Sequence, residues 1–122
     1  MKYAMLVYGD QSAWAELDED EAARLRSESM PRWLALFEEM GKADPAVQGR
    51  ELAAASDAKV VRVVDGERVV TDGPYAEVKE ALGGFFILDC ASFDDALDWA
   101  ARIPAVHHGA VEVRPVHVDP EA

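Results

Sequence analysis

Tyr3, Met5 and Val7 alternate with Ala4, Leu6 and Tyr8, so the first apolar run is hydrophobic on both faces of an extended chain and predicts a central strand. After Gly9-Asp10-Gln11-Ser12 the period changes. Asp18 is placed to cap a helix, and Glu21, three residues on, completes an Asp form of the capping box. Ala22, Leu25, Ser29, Trp33, Leu36, Phe37 and Met40 then recur at spacings of three and four, one stripe ending at Gly41. Pro31 interrupts the pattern. It predicts either a kink near Ser27 to Met30 or two abutting helices, the second entered at the proline. The Ala-rich stretch from Asp44 to Ala58 reads as a loop with a strand around Arg50 to Ala54.

Lys59 to Val64, Asp65-Gly66, and Glu67 to Thr71 predict a hairpin, because two valine-rich arms flank the dipeptide that suits a type I′ turn. Its two-residue turn pairs Val64 with Glu67 and Arg62 with Val69, leaving Val61, Val63 and Val70 on the opposite face. Tyr75 to Leu82 reads as one or two helical turns, with Tyr75, Val78 and Leu82 inward, stopped by Gly83-Gly84. Phe85 to Leu88 is apolar on both faces and predicts a second central strand. Ser92 with Asp95 forms another capping box, and Phe93, Ala96, Leu97, Ala100 and Ile103 mark a helix closed by Pro104. Ala110 to Val118 is the last strand, with Val111 and Val113 facing one way and Glu112, Arg114 and Val116 the other.

The resulting order is met most simply by an α+β ferredoxin-like wiring, β-α-β-β-α-β with an inserted β-hairpin, in one domain spanning residues 1–122. Two helices on one side leave the other sheet face open, and Val and Phe occupy both parities of at least two strands. A second copy across a two-fold axis is the expected cover, giving a homodimer; shielding by the hairpin in a monomer is the alternative.

Composition narrows the function classes. Twenty-four acids against twelve bases give a formal charge of −12, which repels phosphate backbones and anionic lipid surfaces and argues against nucleic acid or membrane as partners. No run approaches the length of a membrane span, and the first apolar run lacks a small-residue cleavage site, so a cytoplasmic location is expected. The lone Cys90 ends an apolar run and reads as a small buried hydrophobe in a reducing compartment. Nothing resembles a phosphate loop, a nucleophile elbow or a metal-ligand spacing, so neither a cofactor nor a metal is expected.

Asp72 ends the second hairpin arm before Gly73-Pro74. Projected into a cavity and raised in pKa by burial it could act as a general base; as a turn residue it would bond its own backbone. Tyr75, Glu77, Lys79 and Glu80 follow, either lining a polar ligand or forming a solvated face. Glu112 and Arg114 share one strand face, and an Arg among valines calls for either a carboxylate ligand or an internal acid. Adjacent residues on an extended chain point apart, so His107 and His108 make poor co-ligands. His107 is a candidate proton shuttle, with an exposed loop residue as the alternative.

Thr71 to Glu80, reading TDGPYAEVKE, then Leu82-Gly83-Gly84-Phe85-Phe86 and Glu112-Val113-Arg114-Pro115 resemble the YCII-related family, specifically its DGPF-domain branch. Tyr8-Gly9-Asp10 and Trp99-Ala100-Ala101 extend the likeness over nearly the whole chain. The resemblance implies a dimeric α/β barrel of ferredoxin-like protomers, and association with alternative sigma factors. Some relatives use a His and Asp pair in a pocket; here the polar residue expected near the start of the main helix falls at Met30, which cannot move a proton. Two functions are therefore expected. One is binding of a small organic acid with cofactor-independent proton transfer of the isomerase or lyase kind: Asp72 and His107 catalytic, Tyr8, Tyr75, Glu77, Lys79, Glu112 and Arg114 around the substrate. The other is a non-catalytic regulatory module that meets a protein such as a sigma factor.

Overall fold

The computed structural model describes residues 1–12, 16–76 and 80–118. Strand β1 (Lys2–Asp10) leads to helix α1 (Glu19–Ala43) and strand β2 (Gln48–Glu51). A 3₁₀ turn (Ala55–Asp57) precedes β3 (Lys59–Val64) and β4 (Glu67–Asp72). Strand β5 (Glu80–Asp89), helix α2 (Phe93–Ala101), a second 3₁₀ turn (Pro104–His107) and β6 (Ala110–Pro115) complete the order. Four strands form one antiparallel sheet in the order β2-β5-β1-β6, while among the described residues β3 and β4 pair only with each other. Each helix thus joins two strands that flank a third, which is the ferredoxin-like split βαβ wiring expected from the element order, with the hairpin as the insertion.

Both predicted central strands are central, because β1 lies between β5 and β6 and β5 lies between β2 and β1. On the helix side Tyr3, Met5, Val7, Phe86 and Leu88 join Leu36, Met40, Ala96, Ala100 and Ile103 in one core, so both helices cover the same face. Trp33 stacks on Phe86 with ring centroids 6.3 Å apart, and Phe37 meets the same ring at 6.0 Å. The Cys90 thiol belongs to this core, and burial, reinforced by Asp95 and Asp89, pushes its pKa up to about 11.

Helix α1 begins as expected, with the Asp18 carboxylate accepting from the Glu21 amide at 2.8 Å. It runs on through Pro31 as one helix and ends two residues beyond Gly41. Its length of about 37 Å exceeds that of the strands beneath it. Only its C-terminal half is therefore packed, and Leu25, counted in the predicted stripe, is exposed. Arg26, in the overhanging half, is tied to Glu51 of β2 by two hydrogen bonds, of 2.5 and 2.9 Å.

Two expectations are corrected. The strand expected around Arg50 to Ala54 starts and stops earlier, since its pairing with β5 matches Gln48 to Ile87 through Glu51 to Gly84. The helical turns expected from Tyr75 to Leu82 do not extend to Leu82, which lies inside β5, and Gly83-Gly84 does not stop an element. The register shifts between Val7 and Tyr8, which face Gly84 and Leu82, so Gly83 is the extra residue of a bulge. A Cβ on Gly84 would lie 3.0 Å from the Arg50 carbonyl oxygen, so the pair marks close strand approach rather than a terminus. Tyr75 is exposed rather than inward, and Val78 lies outside the described residues. The hairpin matches its prediction: Val64 faces Glu67, Arg62 faces Val69, and Asp65 and Gly66 have φ of 51° and 81°, the left-handed pair that a type I′ turn requires.

Candidate functional site

Alternation along β1 sends Ala4, Leu6 and Tyr8 to the sheet face opposite the helices. The register sets Ala4 between Ile87 and Arg114, Leu6 between Phe85 and Glu112, and Tyr8 between Leu82 and Ala110. Ala4, Leu6, Phe85 and Ile87 are half-buried and belong to no core cluster, making an apolar floor on the open face. At its β6 side stand Glu112 and Arg114, two residues apart on one face as the alternation predicted.

Glu112 is diagonal to Tyr8 across the β1–β6 pair, a spacing that a long side chain bridges. The Tyr8 hydroxyl donates to Glu112 Oε1 at 3.3 Å. Partial desolvation and then the Glu112 carboxylate raise the Tyr8 phenol above its ordinary pKa, while Arg114 pulls the other way. Arg114 is thus within electrostatic reach of Tyr8, and it has no ion-pair partner among the described residues. The result is a protonated phenol, a carboxylate and an uncommitted guanidinium beside an apolar surface. That set can bind a carboxylate and can hold or accept a proton.

The turn that delivers β6 is built against this site. Val106 and Gly109 donate backbone bonds to Ile103 and Ala105 at 3.0 and 2.8 Å, bringing Gly109 against β1. A Cβ at Gly109 would lie 2.0 Å from the Tyr8 carbonyl oxygen, so only glycine permits this approach. His107 ends the 3₁₀ turn two residues earlier, exposed, at the same end of the sheet as Tyr8 but not bonded to it.

The remaining candidates fall elsewhere. Asp72 is exposed at the end of β4 and forms an ion pair with Lys59, its cross-strand partner. No hydrogen bond or ion pair joins it to the Tyr8 group among the described residues. Tyr75 lies under the Arg62 guanidinium, 4.9 Å from its ring centroid. Lys59, Val60, Val61, Arg62 and Tyr75 line a surface groove of about 450 Å³, but both of its cations are engaged, one by Asp72 and the other by the ring. Glu77 and Lys79 lie outside the described residues. The contact between Tyr8 and Glu112 was not anticipated from the sequence; its signal was the parity of each strand, which required the β1–β6 register to become a distance.

Among the described residues no helix is long and apolar enough to cross a membrane. Compared with known proteins, residues 1–118 match the model of the YCII-related domain. An uncharacterised protein of Rhizobium meliloti strain 1021 is 37% identical over 121 residues, covering 95% of this chain and 92% of that protein.

Proposed function

The chain belongs to the YCII-related family, and from that premise we propose that it works as a homodimer binding a small organic acid on the open sheet face, held by Tyr8, Glu112 and Arg114. The observation that carries this reading is the 3.3 Å contact of Tyr8 with Glu112 beside an Arg114 lacking an acidic partner among the described residues. A guanidinium at the edge of an apolar floor suits a ligand with one carboxylate and a hydrocarbon body. A second copy laid over Ala4, Leu6, Phe85 and Ile87 would remove that floor from water and strengthen every charge interaction at its margin.

Within this arrangement Arg114 takes the ligand carboxylate, and Tyr8, a protonated phenol near neutrality, gives its one O–H to Glu112 and so orients that carboxylate toward the ligand. Glu112 is the acceptor able to remove a proton next to the bound carboxylate, and His107 at the same end of the sheet can pass it to water. The chemistry is cofactor-independent proton transfer of the isomerase or lyase kind. Asp72, committed to Lys59, is not needed for it.

Light scattering should give the mass of two chains or a whole multiple of it. A thermal-shift panel of aliphatic, hydroxy and aromatic carboxylates should contain members that stabilise the parent and leave Arg114→Ala unmoved. Glu112→Gln should keep that binding while losing exchange of the ligand α-proton with deuterated water, followed by proton NMR. A panel without any stabilising member, or an Arg114→Ala profile identical to the parent's, overturns the reading.

A further inference from the structure

Among the described residues the β3–β4 hairpin pairs with no other strand, and most of both its faces is exposed. Val61, Val63 and Val70 on one face are 61%, 73% and 44% exposed, and Val64 and Val69 on the other are 50% and 38% exposed. An isolated two-stranded ribbon is marginal in water, and an exposed apolar edge is a template for another strand. Its charge sets it apart. Residues 59–72 hold three cations, Lys59, Arg62 and Arg68, and three anions, Asp65, Glu67 and Asp72, in a chain whose formal charge is −12. Two copies repelled over most of their surface can approach at this neutral element.

We infer that β4 pairs with β4 of a second copy, antiparallel about a two-fold axis at Val70, as a self-association surface separate from the open sheet face. The register follows from the chain's own pattern. A two-residue turn makes Val64 and Glu67 a hydrogen-bonded pair, so Glu67, Val69 and Thr71 spend their backbone groups on β3 while those of Arg68, Val70 and Asp72 point outward. Centring two β4 strands on Val70 places Val70 against the partner's Val70 and Arg68 against the partner's Asp72, twice by symmetry. Every outward backbone group of these residues then has a partner, and opposite charges face each other directly. Arg68 has no ion-pair partner among the described residues, and the contact gives it one in an Asp72 that lies between it and Lys59 and serves both cations. The same operation on β3, centred on Val61, would set Lys59 against the partner's Val63 and offers no such match. β4 is therefore the edge used.

Charge exchange tests the register. Arg68→Asp and Asp72→Arg each place like charges opposite one another and should weaken association about tenfold or more. An equimolar mixture of the two variants restores both attractive pairs and should associate like the parent. In parallel, Val70→Cys lies on the axis and should yield a covalent dimer with oxidised glutathione as oxidant, whereas Val63→Cys on the outer β3 edge should stay monomeric on a non-reducing gel. Circular dichroism confirms that each variant is folded, which its peripheral position favours. Association unchanged by both single substitutions, or Val63→Cys linking as fast as Val70→Cys, overturns the inference. If Val70→Cys fails to link while light scattering still gives a two-chain mass, the hairpin contact falls and the sheet-face dimer stands. If Val70→Cys links while light scattering of the reduced Arg68→Asp variant gives one chain, the hairpin contact stands and the sheet-face dimer falls.

Discussion

Replacing Gly109 by alanine joins the fold of this protein to its candidate site. The new Cβ would stand 2.0 Å from the Tyr8 carbonyl oxygen, 3.0 Å from the Tyr8 carbonyl carbon and 3.1 Å from Gly9 Cα, all of them backbone atoms. No side chain can rotate away, so β1 and the start of β6 must separate by about 1 Å or more before the contact becomes ordinary. Overpacking of this kind costs about 1–3 kcal/mol. Disturbing one backbone bond at the strand junction adds about 1 kcal/mol. The expected loss is thus about 2–4 kcal/mol, or a fall in Tm of about 6–20 °C for a chain of this size. Because association contributes to apparent stability, parent and variant are compared at one chain concentration. Gly41→Ala is the matched control. It lies in α1 with nothing within 4 Å of the added methyl, and should gain about 0.5–1 kcal/mol through helix propensity and a less entropic unfolded chain. A Gly109→Ala protein melting within about 1 °C of the parent would refute the claim that this glycine permits the approach.

Three further outcomes follow from the same structure. In an alkaline absorbance titration the Tyr8 phenol should ionise above the ordinary tyrosine value, and Glu112→Gln should lower its midpoint, because the lost carboxylate is one of the groups raising it; an unmoved midpoint contradicts the contact. Cys90 should resist iodoacetamide at pH 8 while the protein is folded. Since burial raises its pKa from 9.0 to about 11 in the fold, the thiol's contribution to stability is complete below the unfolded value. It is lost at up to about 1.4 kcal/mol per pH unit as pH rises through that interval. Urea unfolding of the parent against Cys90→Ala from pH 8 to 11 measures that slope, and parallel curves would refute it. Finally, Arg26→Ala removes a two-bond but solvent-exposed pair with Glu51, and should cost less than about 1 kcal/mol, an effect that shrinks in high salt; a loss of several kcal/mol would mean that the overhanging half of α1 depends on it.

What could be read from the chain was local in origin. The Asp65-Gly66 turn, the caps at Asp18 and Ser92, and the parity of β1 and β6 each depend on residues within a few positions of one another, and each recurs in the structure. The misread elements depend on a distant strand. Gly83-Gly84 has the composition of a stop signal, and only the approach of Arg50 and the bulge opposite Val7 and Tyr8 makes it part of β5. The same limit governs the site. Glu112 and Arg114 could be placed on one face, but their distance from Tyr8, more than a hundred residues earlier, is set by pairing between β1 and β6.

Asp72 illustrates the complementary difficulty. Its place at a strand end before Gly-Pro is compatible with a cavity and with a turn, and its immediate neighbours do not distinguish them. Cross-strand register does, by setting Lys59 opposite. An acid held at a ribbon's edge by a lysine, with its backbone groups directed outward, is equipped for pairing between strands, whereas the proton-handling groups collect where burial and charge already displace the Tyr8 phenol from its ordinary pKa. The hairpin and the open sheet face are thus separate surfaces with separate chemistry. Substitutions at Arg68 or Val70 should change how copies associate and leave carboxylate binding intact, and substitutions at Arg114 should do the reverse. A variant at either place that altered both would mean that the hairpin of one copy reaches over the sheet of another, making the two surfaces one.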